Sequence, residues 1–225
     1  MNAFPTLRPE EIEARSLAVI DVEVPEPRPF AGAEWAIVRR MIHTTADFEL
    51  LDLVRFHPRA VTAGLAALTH GCAMVTDTHM ARCGIPERRL TPLCCTVNCL
   101  MTDPRTAELA QASGTTRARA AVDLAEDEFR PAIHVIGNAP TALIRLLERI
   151  EQGLSRPALI VGMPVGFVHA AESKDLLMAQ MEIPFITLAG RKGGSALAAS
   201  VINALADLAL TKWTSTTRSL EIGDE

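Results

Sequence analysis

The sequence contains no tyrosine, and aromatics make up only 4% of its 225 residues. Stacking platforms for nucleic-acid bases need exposed aromatics, so that mode of binding is excluded in practice. Positive charge is not in excess either. Lys+Arg is 22 and Asp+Glu is 27, a formal charge of −5, which is the wrong overall field for a nucleic-acid binder. No apolar run approaches the roughly 18 residues of a membrane span. The longest, Ala158 to Ala171, is broken by Gly162, Pro164, Gly166 and His169. The opening MNAFPTLRPEEIEARS has neither the basic start nor the apolar stretch of a secretory signal. The five cysteines, Cys72, Cys83, Cys94, Cys95 and Cys99, are odd in number and include an adjacent pair, a poor disulfide framework. No CxxC occurs and the histidines stand at no zinc-finger spacing, so no metal site is expected. These absences describe a soluble, cytoplasmic protein with neither nucleic acid nor membrane as a partner.

Three common phosphate and nucleophile motifs are missing as well. GxGxxG is absent. GRKGGS carries a lysine, but not where GxxxxGK[ST] requires it. GxSxG is absent, so nothing marks an α/β-hydrolase nucleophile. A nucleotide-dependent enzyme is thereby disfavoured.

What is present is a chain with 48% hydrophobic and 22% charged residues, enough for one large α/β domain or two small ones with a well-buried core. A first helix is expected from Pro9, with Glu10 and Glu11 favourable beside its N-terminus. Ile12, Ser16, Val19 and Ile20 share one face of it, so Ser16 interrupts an apolar stripe. That hydroxyl is either buried against a backbone carbonyl or aimed into a pocket. The Pro-rich stretch Val24–Pro29 connects to a second helix, Ala31–Ile42, with stripe Trp35, Val38 and Ile42. A helix near Phe48–Arg55 and another over Pro58–His70 follow, the latter closed by Gly71. Cys72–Thr76 and Leu93–Leu100 read as short buried strands, and Thr116–Phe129 as a helix.

Strand and helix then alternate three times. Ala132–Ile136, Ala158–Val161 and Phe185–Leu188 are strands; Thr141–Gln152, Ala170–Gln180 and Ala196–Leu210 are helices. This predicts an α/β fold, a parallel sheet covered by helices. Ligands of such sheets bind beyond the carboxyl ends of the strands. Gly137–Pro140, Gly162–Gly166 and Gly190–Ser195 all fall at that edge, so a crevice is expected there.

His43, in RRMIHTTADFEL, stands at the end of the second helix. A histidine there is most simply a cap favoured by the helix dipole. Arg40 is three residues earlier on the same face, and two neighbouring cations make more sense if an anion joins them. Histidine also exchanges protons near neutral pH, as general acid–base chemistry requires. The other histidines carry less: His57, His70 and His79 sit at turns and helix ends, His134 is mid-strand, and His169 borders a crevice loop. Of the 22 basic residues only Lys174, Lys192 and Lys212 are lysines. Arginine matches carboxylates with two parallel hydrogen bonds. Arg40, Arg117 at a helix start and Arg191 in a crevice loop are therefore candidate anion contacts. Asp77 and Asp103 follow strands and suit turn capping.

Taken together, RRMIHTTADFEL, VNCLMTDPRT, TTRARAA, VIGNAPTAL, RPALIVGMPVGFVHAAESK and GRKGGSALAA resemble the precorrin-8X methylmutase (precorrin isomerase) family of cobalamin biosynthesis, over nearly the whole chain. The resemblance implies a single domain over 1–225 with a three-layer α/β fold, its mainly parallel central sheet flanked by helices, a homodimer with its site near the subunit interface, and no cofactor. It implies an isomerase that moves a methyl group from C-11 to C-12 of a tetrapyrrole, precorrin-8X or its cobalt form. His43 matches the family's catalytic histidine, and Ser16 and Arg40 match substrate contacts. Thr116, Arg117 and Arg191 match recurrent positions suited to the substrate's carboxylates. The HTTADFEL and GRKGGS forms look like the branch acting on the cobalt-containing substrate. Asn98 departs from an expected apolar strand residue, and His79 stands where some members carry an acid. A non-catalytic corrinoid-binding or carrier protein is the alternative.

Overall fold

The computed structural model describes residues 8–221; the two ends of the expected 1–225 domain, including the first seven residues of the opening segment read for a secretory signal, lie outside the described residues. Helix α1 (Pro9–Glu23) has proline in its first turn, as expected, and Glu11 reaches back to the Arg8 backbone. After the Pro-rich connection comes α2 (Gly32–Thr45), burying Trp35, Val38 and Ile42 as its periodicity predicts. The chain continues through α3 (Leu50–Leu53), β1 (Val54–Phe56), α4 (Ala60–Thr69) and β2 (Ala73–Thr76). Two short helices, α5 (His79–Cys83) and α6 (Glu87–Leu90), and a 3-10 turn lead to β3 (Thr96–Asn98). Then come α7 (Pro104–Ala112), α8 (Arg117–Glu128), β4 (Ile133–Ile136) and α9 (Pro140–Glu151). The last elements are β5 (Leu159–Gly162), α10 (Ala170–Ala179), β6 (Phe185–Leu188) and α11 (Ser195–Glu221).

The six strands form one sheet in the order β1-β6-β5-β4-β2-β3. Every neighbouring pair is parallel except β1 with β6. Side chains alternate across it, as a strand's twofold period dictates. Ile133, Val135, Leu159, Val161, Ile186 and Leu188 join the larger core under α2, α4 and α11. Ile136, Ile160 and Phe185 face the opposite core, with Leu143 of α9 and Leu177 of α10. The three-layer expectation is thus met.

Three local expectations are corrected. Phe48–Arg55 is not one helix: after a single turn the chain becomes β1, whose Val54 is buried while Arg55 is exposed. An edge strand pairing beside β6 outweighs helix propensity there. Leu93–Leu100 is not a buried strand, because Pro92 and the left-handed Cys94 (φ 53°) shape a turn first. Only Thr96–Asn98 pairs, on the sheet's outer edge and partly exposed, which is why the polar Asn98 is tolerated there. Cys99 accordingly lies half-buried just beyond a strand rather than inside one. All five cysteines are free thiols, with Cys72 and Cys95 sulfurs 3.8 Å apart.

Candidate functional site

The site begins at the carboxyl edge of the sheet. The order of strands reverses between β2 and β4, the place where such folds open a crevice. Here the protein fills its own crevice. Asp77, just past β2, accepts hydrogen bonds from the backbone N–H groups of Gly137, Asn138 and Ala139 at 2.9, 2.7 and 2.6 Å. Burial pushes its carboxyl up, against the pull of those donors. The turn-capping role expected of Asp77 is realised across the sheet, and Asp103 caps α7. Gly137 is required: a Cβ there would stand 2.6 Å from the Ser195 backbone.

The other two loops are stitched together. Gly194 N–H donates to Met163 O at 3.0 Å, and Gly166 N–H to Arg191 O at 3.3 Å. Gly193 tolerates no side chain, since a Cβ would lie 2.1 Å from Met163 O. Lys174 of α10 adds a third stitch. Its side chain is 0% exposed and its ammonium donates to Lys192 O at 2.5 Å. Burial pushes this lysine down to about 8, with Asp175 opposing the shift. Lys192 itself reaches the other way, to Asp47 Oδ2 and Glu49 Oε2, both at 2.6 Å. The loop after β6 is thereby tied to the segment following α2.

His43 stands in the last turn of α2 and is half-buried. Its Nδ1 shares a 2.8 Å hydrogen bond with Ser16 Oγ of α1. Of the two fates open to the Ser16 hydroxyl, a buried carbonyl contact is therefore not the one realised. This bond fixes the ring's orientation and leaves Nε2 for another partner. One turn from Ser16, Glu13 accepts from Arg40 Nη2 at 2.6 Å, and the same nitrogen donates to Asp207 Oδ2 at 2.8 Å. Arg89 Nε completes the cluster on Asp207 at 2.7 Å. Arg40 holds the Glu13 carboxyl below its usual range, with smaller help from Arg89 and His43. Arg40 is therefore already engaged by two carboxylates, where the sequence suggested a cation awaiting an anion. Its Nε and Nη1 make no hydrogen bond among the described residues. The α1 stripe is also not a core face: Ile12 and Val19 are each 54% exposed, and only Ile20 is buried.

Thr116 caps α8, accepting from Arg119 N–H and bonding Thr141 Oγ1. Arg117 follows it, exposed and without an ion pair among the described residues. Arg191 is exposed too, its guanidinium 5.7 Å from the Phe167 ring centroid. His43 belongs to the α2–α11 layer and Arg117 to the α8–α9 layer, on opposite faces of the sheet. His134 is buried against Glu126 of α8 at 2.6 Å, a core pair as its mid-strand place suggested. Sequence reasoning missed Glu13, one of several acids on α1, and Asp207, whose only local signal is an acid in an otherwise apolar stretch of α11. It also missed the lone buried lysine of AESK. Among the described residues no three His, Cys, Asp or Glu side chains converge as a metal centre needs.

Comparisons with known proteins agree with one another. The family model described as precorrin-8X methylmutase matches residues 11–208. A cobalt-precorrin-8 methylmutase of Priestia megaterium is 41% identical over 204 residues, covering 91% of this chain and 90% of the relative. A precorrin-8X methylmutase of Pseudomonas aeruginosa is 43% identical over 168 residues, covering 74% and 80%. The crystal structure of precorrin-8x methyl mutase from Thermus thermophilus superposes with a TM-score of 0.82 at 45% identity, covering 89% of this chain and 96% of that one.

Proposed function

The chain belongs to the precorrin-8X methylmutase family, and from that premise we propose that His43 is the proton donor for a methyl shift on a tetrapyrrole lying across the sheet's carboxyl edge. The family's activity makes the protein an isomerase of cobalamin biosynthesis, and the carrier alternative is not favoured. The shift runs from C-11 to C-12. It rearranges the conjugated ring, and protonating the ring makes it electron-poor and lowers the barrier to migration. His43 as imidazolium gives that proton through Nε2 and takes one back when the new C–CH₃ bond is made. No proton is consumed overall.

The observation that carries this reading is the Ser16–His43 bond at 2.8 Å. It pins Nδ1 and presents the opposite nitrogen, as a positioned general acid needs. Ser16 is thus assigned to the imidazole as well as to the substrate's edge. Arg117 and Arg191, exposed and without an ion pair among the described residues, suit the substrate's carboxylates. Arg40 takes a carboxylate only through Nε and Nη1, since Nη2 is occupied. Thr116 supports Arg117 by capping its helix. The enzyme works in the cytoplasm as a homodimer, with the exposed Ile12 and Val19 of α1 turned toward the second copy.

Relatives bearing either substrate name are about equally similar, so the decisive assay uses both. Purified protein is incubated with precorrin-8X and with cobalt-precorrin-8 and followed by absorbance, the cobalt form being the one we expect to turn over faster. His43→Ala should lower turnover at least about a thousandfold, some 4 kcal/mol in the barrier, while still binding product. Wild-type turnover by that variant would remove His43 from the chemistry.

A further inference from the structure

Phe167 is the most exposed of the large apolar side chains described, at 85%. Water ordinarily disfavours such a placement, and this chain has only seven phenylalanines to spend. The ring is held from one side only. The Arg191 guanidinium stands 5.7 Å from its centroid, and the two loops are joined by the Gly166 N–H to Arg191 O bond. The backbone on either side is unusual. Gly166 has φ 145°, and His169 takes the left-handed conformation at φ 62°, which is uncommon for a residue with a side chain. Val168 beside it is exposed as well. These features put a ring at the carboxyl edge of the sheet, with a cation against it. Lys192, next to Arg191, is bound to Asp47 and Glu49, four and six residues past His43.

We propose that Phe167 and Arg191 form one recognition unit for the macrocycle, the ring stacking on its conjugated face and the guanidinium taking a peripheral carboxylate. This rests on the tetrapyrrole reading above and assigns a specificity residue that reading does not contain. A flat conjugated ligand edged with carboxylates is the chemical class that uses both halves of such a pair at once. Val165 and Val168 widen the apolar platform.

The test is titration of wild type, Phe167→Ala, Phe167→Leu and Phe167→Trp with hydrogenobyrinate, with light scattering for the state of assembly. Phe167→Ala and Phe167→Leu should weaken binding, the former about tenfold. Phe167→Trp should keep wild-type affinity, and its added emission should be quenched on binding. Unchanged affinity in Phe167→Ala alongside a functional wild type would sink the stacking role. So would affinity lost only because the variant dissociates into monomers, since the ring would then belong to a subunit contact. If wild type neither binds nor isomerises a tetrapyrrole, the reading of function fails first, and this inference with it.

Discussion

Two parts of the molecule handle their apolar residues in opposite ways. From Ile133 to α11 every strand is wholly buried, and α9 hides Ala142, Leu143 and Leu146 against its neighbours. Helix α1, by contrast, buries Ile20 and leaves Ile12, Val19 and Val22 outside. The first region is finished within one chain. The second ends at Ser16 and His43, with an apolar stripe that the described residues leave about half exposed. Stability is concentrated where packing is closed; the groups that suit chemistry sit where it is open.

The contrast is easiest to break by comparing truncations in each part. Leu143→Ala, in the closed half, should cost about 2–5 kcal/mol in urea unfolding. Val19→Ala, on the open helix, should stay within about 0.5 kcal/mol at concentrations too low for assembly. Equal losses would show that α1 is as firmly packed as the sheet.

Lys174 offers a sharper probe, being a charge inside the closed half. Its folded value of about 8 lies below the ordinary lysine value of 10.5, so below pH 8 the buried ammonium costs on the order of 3 kcal/mol. Between about pH 8 and 10.5 the folded protein has shed a proton that the unfolded chain still holds. Wild type should therefore gain stability relative to Lys174→Met as pH rises through that window. Unfolding curves of both proteins at pH 7 and pH 10 measure it, and a pH-independent difference would contradict burial as the cause. The open corner is probed through turnover instead of unfolding. Ser16→Ala should slow turnover about tenfold, near 1.4 kcal/mol, with little change in unfolding midpoint. A variant that unfolded instead would make Ser16 a structural residue and erase the distinction between the two regions.

Legibility follows the same division. The three buried strands and their helices were readable because continuous apolar runs such as ALIV, each followed by a glycine turn, have few other solutions. Short elements were not. β1 and β3 are three residues each, too short for a twofold period to show, and they exist because a neighbouring strand offers hydrogen bonds. At the site, His43, Arg40, Arg117 and Arg191 were named from their motifs, and Ser16 from its place in an apolar stripe. Their relations were not: Arg40 binds Glu13 and Asp207 from helices distant in sequence, a pairing no local pattern encodes.

By itself the amino-acid order determined the layer architecture, the family and the inventory of reactive groups, because periodicity and motif are local properties of a chain. Only folding decided that Asp77 would occupy the crevice at the strand reversal, that Lys174 would lie buried between two loops, and that Ser16 would face an imidazole 27 residues away. Those outcomes depend on distances across elements, and distance in space is set by packing rather than by position in the sequence.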